Sequence, residues 1–236
     1  MGKEILFRCS SLGHLMTESR DKKSPIGKTL QTHLIEKWVQ EKYGRKSDVY
    51  SRAINKGLMV EDASIALYGR VKGRFFKKNE ERISNDFICG TPDLFEGPSI
   101  RQATLIPDIK SSWDIFTFFR NKQDGPVNKM YYWQLQGYMA LTGADKSLLA
   151  YCLIDTPDTL IESEKRKMAW NMGIIDPDAE FSSHFDDLER NMRYDDIPDE
   201  DRVIEIEVQR NQADIDRLYQ RVVEARIWIE TNLPSL

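Results

Sequence analysis

Apolar residues recur with helical spacing from Lys28 onward, where Leu30, Leu34, Trp38 and Val39 share one face and Gly44 follows Tyr43. That spacing predicts a helix over 28–43, ended by a glycine free to turn left-handed. Ser47-Asp48 offers a cap for a second, longer helix over 47–68, with Gly69 just past its end. On that helix Ile54, Leu58, Ile65 and Tyr68 form an apolar stripe, and Glu61 falls in it. Alternation then replaces helical spacing. Short strands are predicted at 75–76 and 86–89, and 103–111 reads as the second arm of a β-hairpin, with Pro92, Gly97-Pro98 and Pro107 marking turns and edges. A short helix over 113–120 precedes a loop opened by Gly125-Pro126, and a helix over 129–141 is stopped by Gly143. A buried strand over 147–154, a helix over 161–171, a strand over 202–208 and a terminal helix over 212–231 complete the pattern. Helices, then a strand cluster, then strand–helix units predict an α/β fold with a central mixed sheet flanked by helices. The expectation is one domain over 1–236, with a core over about 48–154 and a strand–helix extension over about 200–236.

Composition narrows the classes. No apolar run approaches the roughly 18–20 residues of a membrane span, and the start, Met1-Gly2-Lys3-Glu4, has neither an apolar core nor a small-residue cleavage site. Phe7 also suits myristoylation of Gly2 poorly. These features predict an intracellular, cytoplasmic protein without a membrane partner. Cys9, Cys89 and Cys152 stand far apart, which argues against a disulfide framework and a four-cysteine metal site. The net charge of −4 is unevenly spread: 176–207 carries 13 acids against three arginines, leaving +6 for the rest. Five cations are interleaved with Phe75 and Phe76 in Arg70-Val71-Lys72-Gly73-Arg74-Phe75-Phe76-Lys77-Lys78, a pattern that suits either a DNA backbone or a solvated hairpin. His14, His33 and His184 form no metal motif, no Gly-x-Ser-x-Gly elbow occurs, and there is no phosphate loop of the ATPase kind.

Polar residues in apolar settings carry the candidate chemistry. Glu61 lies in its stripe where an apolar residue is expected, so it is a metal ligand, a buried ion pair or an edge position. In Gly90-Thr91-Pro92-Asp93 the glycine permits a close backbone approach and the proline fixes the chain before an acid that precedes Leu94-Phe95. Along Asp108-Ile109-Lys110 the two-residue period puts Asp108 and Lys110 on one face and Ile109 on the other; alone, this is also the pattern of a strand salt bridge. Gln134 shares its helix face with Tyr131, Tyr138 and Leu141, as a catalytic neighbour or a buried glutamine at a sheet edge.

Glu61, Gly90-Thr91-Pro92-Asp93, Asp108-Ile109-Lys110 and Tyr132-Trp133-Gln134-Leu135-Gln136-Gly137-Tyr138, in that order, resemble the PD-(D/E)XK nuclease superfamily, in its RecB-like and phage lambda exonuclease-like branch. The likeness runs from about Arg8 to about Ile154; Asp108 stands where many relatives have Glu, and the branch with a four-cysteine cluster is excluded by the cysteine count. The resemblance implies a restriction-endonuclease-like fold and hydrolysis of DNA at the ends of linear duplexes, as in phage recombination. It implies Mg²⁺ or Mn²⁺ on Asp93, Asp108 and the Ile109 carbonyl, with Glu61 completing the set, Lys110 as the catalytic ammonium and Gln134 orienting it. Arg8 and Ser11, in Arg8-Cys9-Ser10-Ser11-Leu12-Gly13, resemble a segment that holds a terminal phosphate. The cations from Arg70 to Lys78, Arg74 and Lys77 among them, are then candidate backbone contacts, and Tyr138 a substrate or core residue. A single-strand annealing protein and a homo-oligomer are implied partners. The alternatives are an endonuclease or junction resolvase of the same fold, a restriction-like defence nuclease, and a fold relative that binds DNA or protein without catalysis; the last is disfavoured because all the expected acids and the lysine are present.

Overall fold

The computed structural model describes residues 5–19, 26–47, 51–123, 127–174 and 179–234. Residue 48 of the expected Ser47-Asp48 cap, the Gly125-Pro126 loop opening and the Met1-Gly2 start lie outside them. The chain begins with β1 (Phe7–Arg8) and the short α1 (Leu12–Leu15), followed by α2 (Lys28–Tyr43), α3 (Arg52–Met59) and α4 (Glu61–Val71). Then come β2 (Ile83–Ser84), β3 (Ile88–Gly90), β4 (Leu105–Ser111), α5 (Ile115–Gln123), α6 (Lys129–Thr142) and β5 (Lys146–Cys152). The helical pair α7 (Asp158–Met172) and α8 (Ala179–Arg190) precedes β6 (Val203–Gln209) and the terminal α9 (Gln212–Asn232). Among the described residues no helix is long and apolar enough to cross a membrane.

The mixed α/β architecture is as expected, but the strands form two three-stranded mixed sheets, ordered β1-β3-β2 and β4-β5-β6. β1 runs parallel to β3, β4 parallel to β5, and the third strand of each sheet is antiparallel. The expected hairpin shrinks to one bridge: Glu96 N donates to Leu105 O at 2.9 Å and Thr104 N to Glu96 O at 2.8 Å. The parallel β4–β5 pair is joined through α5 and α6, the crossover that a parallel connection requires. Along β5, Leu149 and Tyr151 face one apolar cluster with Leu135, Met139, Leu218 and Val222, while Ala150 and Cys152 face another with Ile65, Leu67 and Tyr68. The β4-β5-β6 sheet is therefore sandwiched between α6 with α9 on one side and α4 on the other.

Local signals account for most ends. Gly44 and Gly143 take left-handed conformations (φ 66° and 83°) after α2 and α6, and the Asn128 side chain caps α6, its Oδ1 accepting from Met130 N at 2.8 Å. The helix expected over 47–68 is instead broken at Val60, and α4 runs through Gly69 to Val71. Gly69 does not stop the helix; a Cβ there would meet Arg74 O at 2.8 Å, so its use is close packing. Ile54 and Leu58 are exposed, Leu58 by 71%, so the apolar stripe on α3 does not face the core. Residues 75–76 form no strand: Phe75 is 91% exposed, and Phe76 packs on Tyr68 at 5.1 Å between ring centroids.

Candidate active site

Strand alternation on β4 builds the site's floor. Ile106 and Asp108 turn toward α6, whereas Ile109 turns into the cluster under α4. Asp108 is fully buried. Its Oδ1 accepts from Gln134 Nε2 at 3.1 Å, and its Oδ2 forms an ion pair with Lys110 Nζ at 2.6 Å. Because β4 is an edge strand, Ile109 N has no ladder partner outward, and it donates to Asp93 Oδ2 at 2.8 Å. One strand edge thus brings two acids and one ammonium together.

Helix α6 supports this floor. Gln134 Nε2 also donates to Tyr138 Oη at 3.1 Å, and Tyr138 Oη donates to Thr91 O at 3.3 Å, next to the Asp93 turn. Gly90 makes that approach possible, since a Cβ there would lie 2.7 Å from the Tyr138 ring and 2.9 Å from Cys9 Sγ. Tyr138 is buried at this junction and is not among the residues that line the groove described below, as the core alternative expects. Two further residues support the site: Asn79, which carried no signal in the sequence pattern, and Tyr131, which shares the helix face of Gln134. Asn79 N donates to Asp93 O at 2.8 Å and its Nδ2 to Pro92 O at 2.9 Å, clamping the Asp93 turn. The Tyr131 ring lies under Lys110 Nζ, 5.4 Å from its centroid.

Charges at this floor perturb one another. Burial first, and then the neighbouring Asp108, push the Asp93 carboxyl up to about 7. Burial disfavours the Lys110 ammonium, but Asp108 and Asp93 more than offset it and hold its pKa above the ordinary lysine value. Burial and then Asp108 also raise Tyr138, which stays a neutral hydroxyl.

The floor opens into a groove of about 900 Å³ lined by Asp93, Lys110, Tyr131 and Gln134 together with Glu61, Arg8 and Ser10. Glu61 is the first residue of α4, and its Oε2 lies 2.7 Å from Lys78 Nζ. Asp62, its side chain 89% exposed, does not line the groove, although its Oδ1 lies 3.5 Å from the same Lys78 Nζ. Glu61 faces the groove because α4 starts there; a buried stripe does not account for it. Exposed Ile54 and Leu58 form part of the groove wall. Ser11 turns its hydroxyl back to Arg8 O at 2.9 Å, so it is Ser10 that lines the groove. Arg74 is paired with Glu96 and stacks on Phe76 at 4.4 Å, and Lys77 lines separate hollows beside Phe75 and Phe76. Neither is among the residues lining the groove.

Among the described residues no three His, Cys, Asp or Glu side chains form a ready-made metal cluster. A hard divalent ion needs fewer, since Mg²⁺ is commonly held by one or two carboxylates and keeps several waters. Asp93 and Asp108 fit that requirement: two hard oxygen donors meet here, close enough for Asp108 to raise the Asp93 carboxyl, with the Lys110 ammonium 2.6 Å from Asp108 Oδ2.

No family model matches the chain, and neither does the sequence of any curated protein. Solved structures do match. The crystal structure of a phage related exonuclease from Haemophilus somnus 129PT superimposes with a TM-score of 0.76 at 27% identity, covering 97% of this chain and 95% of that one. In fold this chain is similar to that phage related exonuclease over nearly its whole length, as a PD-(D/E)XK-like nuclease would be. An alkaline exonuclease, LHK-Exo from Laribacter hongkongensis, shares the nuclease fold at a TM-score of 0.64 and 16% identity, covering 97% of this chain and 89% of that one. The same enzyme in complex with dAMP matches at a TM-score of 0.62, with the same identity and coverage. In both comparisons the likeness covers nearly the whole chain, so the nuclease fold includes the α7–α8 pair and the β6–α9 extension.

Proposed function

We propose that this protein is a divalent-metal-dependent deoxyribonuclease that hydrolyses phosphodiester bonds at the ends of linear double-stranded DNA. The observation that carries the reading is the pairing of Asp93 and Asp108 on one strand edge, with Lys110 Nζ 2.6 Å from the buried Asp108 Oδ2 at the floor of an open groove. Structural neighbours described as exonucleases, one of them in complex with dAMP, support the direction of the assignment.

Asp93 and Asp108 would hold Mg²⁺ or Mn²⁺, with the Ile109 carbonyl and Glu61 contributing directly or through water. Such an ion lowers the pKa of a bound water and neutralises charge on the scissile phosphate. The remaining work belongs to side chains. Lys110 keeps its proton, so it orients the attacking oxygen and offsets charge that builds on the phosphate. Gln134 fixes the Asp108 carboxylate through its 3.1 Å bond, and Tyr138 fixes Gln134. Arg8, exposed at the groove, is suited to a DNA phosphate and would bind without reading sequence. A role in phage-type recombination, with a strand-annealing protein and a homo-oligomeric assembly, extends the same proposal.

Digestion of end-labelled linear duplex beside a covalently closed circle, with Mg²⁺ or EDTA, tests it. The wild type should degrade only the linear form and only with metal, and Lys110→Ala should lose at least about a hundredfold in rate. Cutting of the circle would replace exonuclease by endonuclease, and inertness toward both with any metal would remove the enzyme reading.

A further inference from the structure

The cations of the 70–78 segment are not equivalent. Arg70 pairs with Asp199 at 2.6 Å, Lys72 with Glu205 at 2.7 Å and Arg74 with Glu96, all acids that do not line the groove. Lys78 pairs instead with the groove acid, its Nζ 2.7 Å from Glu61 Oε2 and 3.5 Å from Asp62 Oδ1. The neighbouring residue fixes its root: Asn79 is bonded through N and Nδ2 to Asp93 O and Pro92 O. The backbone of Lys78 therefore stays beside the Asp93 turn wherever its ammonium points. Both partners are about one-third exposed, 37% for Lys78 and 31% for Glu61, so the pair is screened by water and easily exchanged. A four-carbon stem lets the ammonium swing without moving the chain.

We infer that Lys78, which lines the hollows next to the groove, is an exchangeable counterion of Glu61: it neutralises the carboxylate in the metal-free protein, yields it to a divalent ion, and then contacts a DNA phosphate at the groove's rim. The inference rests on the metal-dependent reading above. Lys78 is thereby a positioning residue that couples metal loading to DNA binding, and the other paired cations of the segment have no such role.

Titration of Mn²⁺ into the protein, with free Mn²⁺ followed by electron paramagnetic resonance, tests the exchange without turnover. Lys78→Gln should bind Mn²⁺ about three- to fivefold more tightly, the upper range for losing a screened competitor. The same substitution placed on Glu61→Gln should change nothing. Unchanged or weaker binding in Lys78→Gln overturns the inference, as does an equal gain in the Glu61→Gln background, which would mean general charge alone. If Mn²⁺ binding by the wild type is indifferent to Asp93→Asn and Asp108→Asn, the metal reading itself fails and takes this one with it. Duplex binding by fluorescence anisotropy, over a salt series in Ca²⁺ and in EDTA, tests the second half. Lys78→Gln should reduce the slope of log K against log salt by about one in Ca²⁺ only. An equal slope in Ca²⁺ would overturn the phosphate contact.

Discussion

Replacing Asp93 by Asn should stabilise the metal-free protein while destroying the proposed chemistry. In the folded chain the Asp93 carboxyl is pushed up to about 7 from an ordinary 3.8, chiefly by burial and then by Asp108. The folded state therefore holds this proton more tightly than the unfolded chain does. That contribution to stability is fully present below about pH 4 and is lost as pH rises through about 7. A shift of about three units at about 1.4 kcal/mol each sets a ceiling of about 4 kcal/mol above neutrality. Asparagine keeps an oxygen to accept from Ile109 N at 2.8 Å but carries no charge. The shift is already net of the attraction of Lys110; relaxation around the charged carboxylate lowers the ceiling, so we expect roughly 2 kcal/mol, or about 4–8 °C in a chain of this size. Thermal unfolding in EDTA between pH 4 and pH 9 reads the effect directly. The variant should melt higher at pH 8, the gap should close toward pH 4, and millimolar Mg²⁺ should raise the wild type more than the variant. A gap of the same size at both pH values, or an Asn variant less stable at pH 8, would refute the electrostatic reasoning.

Three further outcomes follow from the same geometry. Gln134→Leu strips a hydrogen bond from buried Asp108 and another from Tyr138, so nuclease rates should fall at least tenfold and stability by about 1–3 kcal/mol, measured by single-turnover digestion and urea unfolding. Gly90→Ala forces a methyl to 2.7 Å from the Tyr138 ring and should cost about 1–3 kcal/mol, where a neutral result in urea would contradict the packing described. Lys56 is fully buried, donates to Trp113 O at 2.9 Å, and has its pKa lowered to about 8 by burial, against an ordinary 10.5. Its effect on stability is therefore favourable above about 10.5 and lost as pH falls through about 8. Wild-type stability should rise over that interval relative to Lys56→Met, in melts across the same range.

What could be read from the sequence followed from whether the cause was local. Helix α2 and its Gly44 stop came out at their observed ends because spacing and a left-handed glycine act within a few residues. Gln134 stood out as a polar residue in an apolar face, and it does meet buried Asp108. Pattern could not separate the exposed apolar wall of the groove from a core stripe, so Ile54 and Leu58 were placed inside and the helix break at Val60 was missed. Pairing over long separations was equally invisible: β3 joins β1, about eighty residues upstream in the chain, which splits the expected single sheet in two. Interleaved cations and aromatics gave no hint of which wall they occupy. The pattern therefore could not show that Arg74 pairs with Glu96 while Lys78 reaches back to Glu61 at the start of α4. The clamp by Asn79 depends on the same tertiary approach and leaves no local trace.

The central claim is that Asp93 and Asp108 together hold the ion on which phosphodiester hydrolysis depends. The most direct test is Mg²⁺-dependent release of nucleotides from an end-labelled linear duplex by the Asp93→Ala, Asp108→Ala double variant, beside a duplex-binding measurement on the same preparation. No release from a folded protein that still binds DNA is the expected result. Retained Mg²⁺-dependent release by the pure double variant would contradict the account.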